Sequence, residues 1–176
     1  MNVLEAVRTR RSARSFERRP LPPEVIAAIE DTILHSPSGS NAQESHLVIV
    51  QEPAQLRQIK RFAQGLSGEP AAVVVLCSNR TEALLRGGID AQDVLRFVNL
   101  GISAAYILLV AHSFGVASCP VRGFHQGALK EILELPEDVD PELVISLGYT
   151  NQPPRLKITK PAREVISHDY YGNYSR

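Results

Sequence analysis

Twelve residues near the start of the chain, Arg8-Thr9-Arg10-Arg11-Ser12-Ala13-Arg14-Ser15-Phe16-Glu17-Arg18-Arg19, hold six of its fifteen arginines. A guanidinium is a planar fork of fixed donors that stays charged at physiological pH and grips a phosphate bidentately. Arginine interleaved with serine therefore reads as a phosphate cradle, with Arg10, Arg11 and Ser12 suited to form it. The rest of the chain does not share the bias, because 19 basic residues balance 19 acidic ones and the formal net charge is zero. A domain that lives on nucleic acid is usually basic throughout, so no nucleic-acid partner is expected. A solvated or nucleic-acid-contacting basic arm is the competing reading of this stretch taken alone.

Several other chemistries find no anchor. There is no Gly-x-Gly-x-x-Gly fingerprint, Walker loop or Gly-x-Ser-x-Gly elbow. The histidines at 35, 46, 112, 125 and 168 make no ligand-spaced cluster, so no metal is expected. Cys77 and Cys119 lie far apart in apolar segments and read as reduced core residues. With 176 residues, 44% of them hydrophobic and 22% charged, one soluble domain over residues 1–176 is expected. Met1 to Ala6 lacks the charged flank and cleavage site of a signal peptide. The apolar run Phe97 to Ala111 falls short of the roughly 20 residues of a membrane span. A cytoplasmic location with no membrane partner follows as an expectation.

The elements that must carry the cradle alternate along the chain. Asn2 can cap a helix over 3–10, and Pro22-Pro23-Glu24 opens a second helix with Val25, Ile26, Ile29 and Ile33 on one face, ended by Ser36 to Asn41. A strand is expected at 47–50, a polar helix at 53–64 and a β-branched strand at 71–77, with both strands central in the sheet. A long helix over about 90–114 stops at Gly115. Short strands at 116–119 and 144–149 flank a helix at 126–135. The tail beyond Pro153-Pro154, with Lys157, Lys160 and the Tyr170-Tyr171 pair, does not read as a compact element and is expected to run over a partner subunit.

In this order the motifs resemble the FMN-dependent nitroreductase family, over nearly the whole chain. Four segments carry the likeness: Arg10-Arg11-Ser12-Ala13-Arg14-Ser15-Phe16 after the first helix, Pro37-Ser38-Gly39-Ser40-Asn41-Ala42-Gln43 after the second, Pro120-Val121-Arg122-Gly123-Phe124 after the long helix, and Leu147-Gly148-Tyr149 before the tail. The resemblance implies an α+β fold, with a central mixed or antiparallel sheet flanked by helices and a homodimer holding two FMN sites at its interface. It also implies that Arg14 sits by the flavin N1 and O2 edge, where a cation favours the reduced, anionic ring. Pro37, Ser38, Asn41 and Gln43 would come from the opposite subunit. The backbone of Pro120, Val121, Arg122 and Gly123 would face N5, with Gly123 allowing close approach for want of a Cβ.

The implied reaction is ping-pong: NADH or NADPH reduces FMN and leaves, and a small-molecule electron acceptor such as a nitroaromatic or quinone is then reduced. No side chain need act as nucleophile or acid-base catalyst, since the cofactor carries the electron chemistry. The same fold would also suit a reductive dehalogenase, an azoline-type dehydrogenase or a non-catalytic flavin-binding protein. Three departures bear on the site. Glu44-Ser45 stand where the family often has Pro-Trp. Thr159 replaces a tail arginine, so that Lys157, Lys160 or Arg163 must complete the phosphate site. The chain also lacks room for a long helical insertion over the flavin, which leaves a more open active site.

Overall fold

The computed structural model describes residues 1–174. Helix α1 (Val3–Thr9) starts at a capping box in which Asn2 Oδ1 accepts from the Glu5 N–H and the Glu5 carboxylate accepts from the Asn2 N–H. Helix α2 (Pro23–Leu34) opens on a proline whose missing N–H needs no partner there. Strand β1 (Ser45–Val50), helix α3 (Pro53–Phe62) and strand β2 (Ala72–Asn79) follow. Helix α4 (Arg80–Asp90) leads through a five-residue π turn, Ala91–Leu95, into helix α5 (Arg96–Ser113). Strand β3 (Ala117–Val121), helix α6 (Gln126–Ile132) and strand β4 (Val139–Gly148) complete the fold.

The four strands pair antiparallel throughout, in the order β1-β2-β4-β3. Alternation along β2 builds a core on both faces of this sheet. Val74 and Leu76 meet Ile29, Leu100, Ile107 and Ala111 from α2 and α5. Val73, Val75 and Cys77 meet Ile59 and Leu129 from α3 and α6. Cys77 and Cys119 are buried free thiols, and burial, with Glu142 and Asp140 nearby, pushes the Cys77 pKa up to about 12.

The α+β expectation holds, with four differences of detail. The strand expected at 47–50 is an edge strand and only partly buried, not a central one like β2. Strand β4 begins at Val139, five residues early, because Pro141 faces Cys77 at a register shift and gives up no ladder bond there. Helix α6 stops at Ile132, short of 135. Helix α4 was not foreseen. Its apolar positions are sparse and Gly87-Gly88 argues against a helix, yet Asn79 Oδ1 caps it by accepting from the Glu82 N–H at 2.9 Å. The helix breaks at Gly88, where φ is 72°. By length and hydropathy Arg80–Ser113 passes for a membrane span, but Leu100, Ala104, Ile107 and Ala111 of α5 are packed on the sheet.

Candidate functional site

The Arg10–Phe16 segment leaves α1 and runs in extended form along β3. Ser12 pairs parallel to Ser118, and the Ala13 N–H donates to the Ser118 carbonyl at 3.1 Å. Because the pairing is parallel, Arg14 lies toward the Pro120–Gly123 end of β3 and Arg10 lies away from it. Four residue steps in extended form separate Arg10 from Arg14 by roughly 13 Å of chain. The segment is fixed further on by the Glu17 N–H, which donates to the Tyr149 carbonyl at 2.8 Å. Phe16 closes it down: a Cβ on Gly148 would stand 2.9 Å from the Phe16 ring. Two of the motifs thus explain each other, since the aromatic of one needs the glycine of the other.

The arginines divide their work. Arg11 Nη1 donates to the carbonyls of Arg8 and Arg10 at 2.7 and 2.8 Å, closing the last turn of α1. Arg10 Nη1 is buried and has no partner among the described residues. A buried guanidinium donor left unpaired is costly and is suited to an anionic oxygen that the chain itself does not supply. Arg11, Ser12 and Arg14 line one cavity of about 410 Å³, together with His112 and Arg155.

Pro120–Phe124 forms a turn in which the Arg122 and Gly123 carbonyls are taken. The Arg122 carbonyl accepts from Phe124 at 3.0 Å, and the Gly123 carbonyl accepts from the Gly65 N–H at 2.9 Å. The Arg122 and Gly123 N–H groups have no backbone acceptor among the described residues. The Val121 side chain is buried in the core, so it offers only its backbone, and the Arg122 guanidinium reaches toward Glu142 at 3.8 Å. Gly123 is not in the left-handed region, and a Cβ on it would meet Gly65 at ordinary contact distance. The glycine that the turn requires is Gly65, whose Cβ would stand 2.6 Å from Val121 Cγ1; nothing in its own sequence neighbourhood signals this.

Pro37, Ser38, Asn41 and Gln43 line a different cavity, of about 740 Å³. Ser40, Asn41 and Gln43 adopt φ of 55°, 51° and 54°, a conformation that costs a non-glycine residue about 1–2 kcal/mol. One chain therefore does not gather all the predicted residues. The arginine segment and the Pro120 turn share β3, whereas the Ser38 loop opens elsewhere. Lys157 and Lys160 lie on an exposed tail and line neither cavity.

The family model for the nitroreductase family matches residues 7–69 and 60–149. The chain belongs to the nitroreductase family. It is 31% identical to a Methanothermobacter thermautotrophicus protein provisionally named NADH dehydrogenase/NAD(P)H nitroreductase, over 88% of this chain and 80% of that one. It is 27% identical to the NADPH-flavin oxidoreductase of Vibrio harveyi, over 97% of this chain and 75% of that protein. A solved nitroreductase family protein from Clostridium difficile 630 shares the fold at a TM-score of 0.86 and 22% identity, covering 97% of this chain and 99% of that one.

Two further features of this family member went unread in its sequence. His112 Nε2 lies 2.8 Å from Thr9 Oγ1. Burial, then the charges of Arg10 and Arg11, hold its pKa below the ordinary value, with Glu5 opposing. Glu44 and Asn99, both buried, are joined at the foot of the Ser38 loop. The only sequence signal for the second pair was Glu44 itself, standing where a proline was expected.

Proposed function

We propose that the chain is a single flavin-binding domain that forms a homodimer with two FMN sites and acts as an NAD(P)H-dependent oxidoreductase on small acceptors such as nitroaromatics or quinones. One observation carries the reading. The extended Arg10–Arg14 segment runs parallel to β3, so an Arg10 donor buried and unpaired among the described residues stands at one end, and Arg14 lies toward the end of β3 that leads into the turn bearing the Arg122 and Gly123 N–H groups. That layout suits a ligand with a phosphate at one end and a polar ring edge at the other.

When bound, FMN supplies the relay of a hydride equivalent from NADH or NADPH to the acceptor. The protein's part is placement and charge. Arg10, Ser12 and the free donors of Arg11 hold the phosphate, with Lys157 or Lys160 reaching it from the tail. Arg14 favours negative charge on the adjacent ring edge. The Arg122 and Gly123 N–H groups donate to the edge beside them. Pro37, Ser38, Asn41 and Gln43 serve the partner's flavin, which accounts for their separate cavity.

The exposed apolar residues Leu156 and Ile158, at 91% and 90% accessible, support a tail that crosses to a second copy. A soluble, cytoplasmic enzyme is the corresponding location, with α5 serving core and interface. Absorbance of the purified protein before and after anaerobic NADH or NADPH addition, with FMN quantified after denaturation, tests the proposal. Flavin bands that bleach support an NAD(P)H-driven flavoenzyme, and absence of flavin after reconstitution overturns it. Bound FMN that never bleaches removes the nicotinamide step.

A further inference from the structure

The Ser38–Gln43 loop is held together weakly from within and firmly from outside. Its own bonds run from the Asn41 N–H to the Ser38 carbonyl at 3.0 Å, from Ala42 to Gly39 at 3.1 Å, and from the Gln43 N–H to Ser38 Oγ at 3.1 Å. None of these forces three non-glycine residues into the left-handed region. The outside hold passes through one side chain of α5. Asn99 Oδ1 accepts from the Gly39 N–H at 3.1 Å, at the start of the loop. Asn99 Nδ2 donates to Glu44 Oε1 at 2.8 Å, just past its end. The Glu44 carbonyl accepts in turn from the Asn79 N–H at 2.8 Å, which ties the same point to the end of β2.

Both members of the pair are shut away from solvent, Asn99 at 5% and Glu44 at 1% accessible. Glu44 Oε2 is buried without a partner among the described residues. A carboxylate half-satisfied in the interior is a poor device for stability alone, because an apolar residue of similar size would avoid the cost. Its retained feature is geometric: one amide, held by one carboxylate, clamps the two ends of a strained loop at a fixed separation.

We infer that Glu44 and Asn99 are positioning residues that hold the Ser38–Gln43 loop ready to receive the flavin. The inference rests on the flavin reading given above. Neither residue touches the ligand; both act through the backbone of Gly39 and the exit of the loop.

The test compares Asn99→Leu, Glu44→Leu and Glu44→Gln in the full-length protein, with FMN affinity of the apo-protein read by flavin fluorescence and apo-protein melting followed alongside. The leucine variants should bind FMN about tenfold more weakly, the equivalent of one lost hydrogen bond to a preset loop. Glu44→Gln keeps an acceptor for Asn99 and should restore the affinity. Leucine variants that melt earlier but bind FMN as wild type does overturn the positioning role. A wild-type protein that takes no FMN overturns the flavin reading instead, and amide exchange then decides the clamp by itself. Faster exchange at Gly39 and Gln43 in Asn99→Leu supports the clamp, and unchanged exchange removes it.

Discussion

The Pro120–Phe124 turn and the Ser38–Gln43 loop both present polar groups, yet they are built in opposite ways. The turn is fixed by backbone: β3 leads into it, Gly65 donates to it, and His125 donates to the Phe62 carbonyl just beyond it at 2.7 Å. Among Arg122, Gly123 and Phe124 no residue takes a left-handed φ. The loop takes three, and it is held by a side-chain amide and a buried carboxylate from elsewhere in the chain. The first construction leaves the Arg122 and Gly123 N–H groups without a backbone acceptor among the described residues, in a backbone geometry that most side chains tolerate. The second holds a shape that its own residues do not prefer, and so depends on distant partners.

The largest effect should come from crowding the turn. Gly65→Val would drive a side chain into Val121, whose Cγ1 lies 2.6 Å from the Cβ position. Overpacking of this kind costs about 1–3 kcal/mol, measurable by urea unfolding. FMN retention should fall with it, because Gly123 loses its tie. A Gly65→Val protein as stable as wild type would show that the turn is not pinned from that side.

Next in size is the cradle. Arg10→Ala removes charge-assisted bonds worth about 1.5–3 kcal/mol to a bound phosphate, so FMN affinity should drop by one to two orders of magnitude. Folding should be spared, since the Arg10 Nη1 lost has no partner among the described residues. Equal FMN content in mutant and wild type would move the phosphate elsewhere. Arg122→Ala makes the contrast, because the turn is proposed to act through N–H groups that the substitution leaves in place; FMN affinity should hardly change.

The loop should answer glycine with the opposite sign. Ser40 sits at φ 55°, ψ 16°, and relief of its strain, roughly 1–2 kcal/mol, outweighs the added freedom of the unfolded chain, about 0.4–1 kcal/mol. Ser40→Gly should therefore raise apo-protein stability by up to about 1 kcal/mol, read as a higher urea midpoint. A fall in stability would mean that the Ser40 side chain does more than occupy the turn.

The same division explains what was readable beforehand. Arg10 to Phe16, the Pro120 turn and Gly148 are contiguous motifs whose backbone places them, and the β-branched run of β2 announced a buried centre. Helix α4 was hidden because its apolar positions are sparse and its cap at Asn79 is revealed only by the folded geometry. The edge position of β1 depends on pairing order, which a local apolar pattern does not encode. Gly65, Asn99 and Glu44 matter through contacts across 58, 60 and 55 positions of chain, and neither periodicity nor spacing registers these. That Arg11, Ser12 and Arg14 line one cavity and Pro37, Ser38, Asn41 and Gln43 another is likewise a property of the folded chain, not of any motif.

The smallest effect, and the one that locates the phosphate end most directly, belongs to His112. Its pKa lies below the ordinary 6.5 through burial and the repulsion of Arg10 and Arg11. The folded chain thus takes up its proton less readily than the unfolded chain. Stability from this group is present above pH 6.5 and is lost as pH falls from there through the lowered folded value. A phosphate dianion seated between Arg10 and Arg11 would offset their charge and raise the His112 pKa. Titration of the His112 ring protons by NMR, with and without FMN, should show that upward shift and a correspondingly smaller loss of stability on mild acidification. In Arg10→Ala apo-protein the value should also rise, since one repelling charge is gone, while FMN should shift it less than in wild type. A His112 titration indifferent to both FMN and Arg10 would separate the arginine cradle from the cavity that this histidine lines.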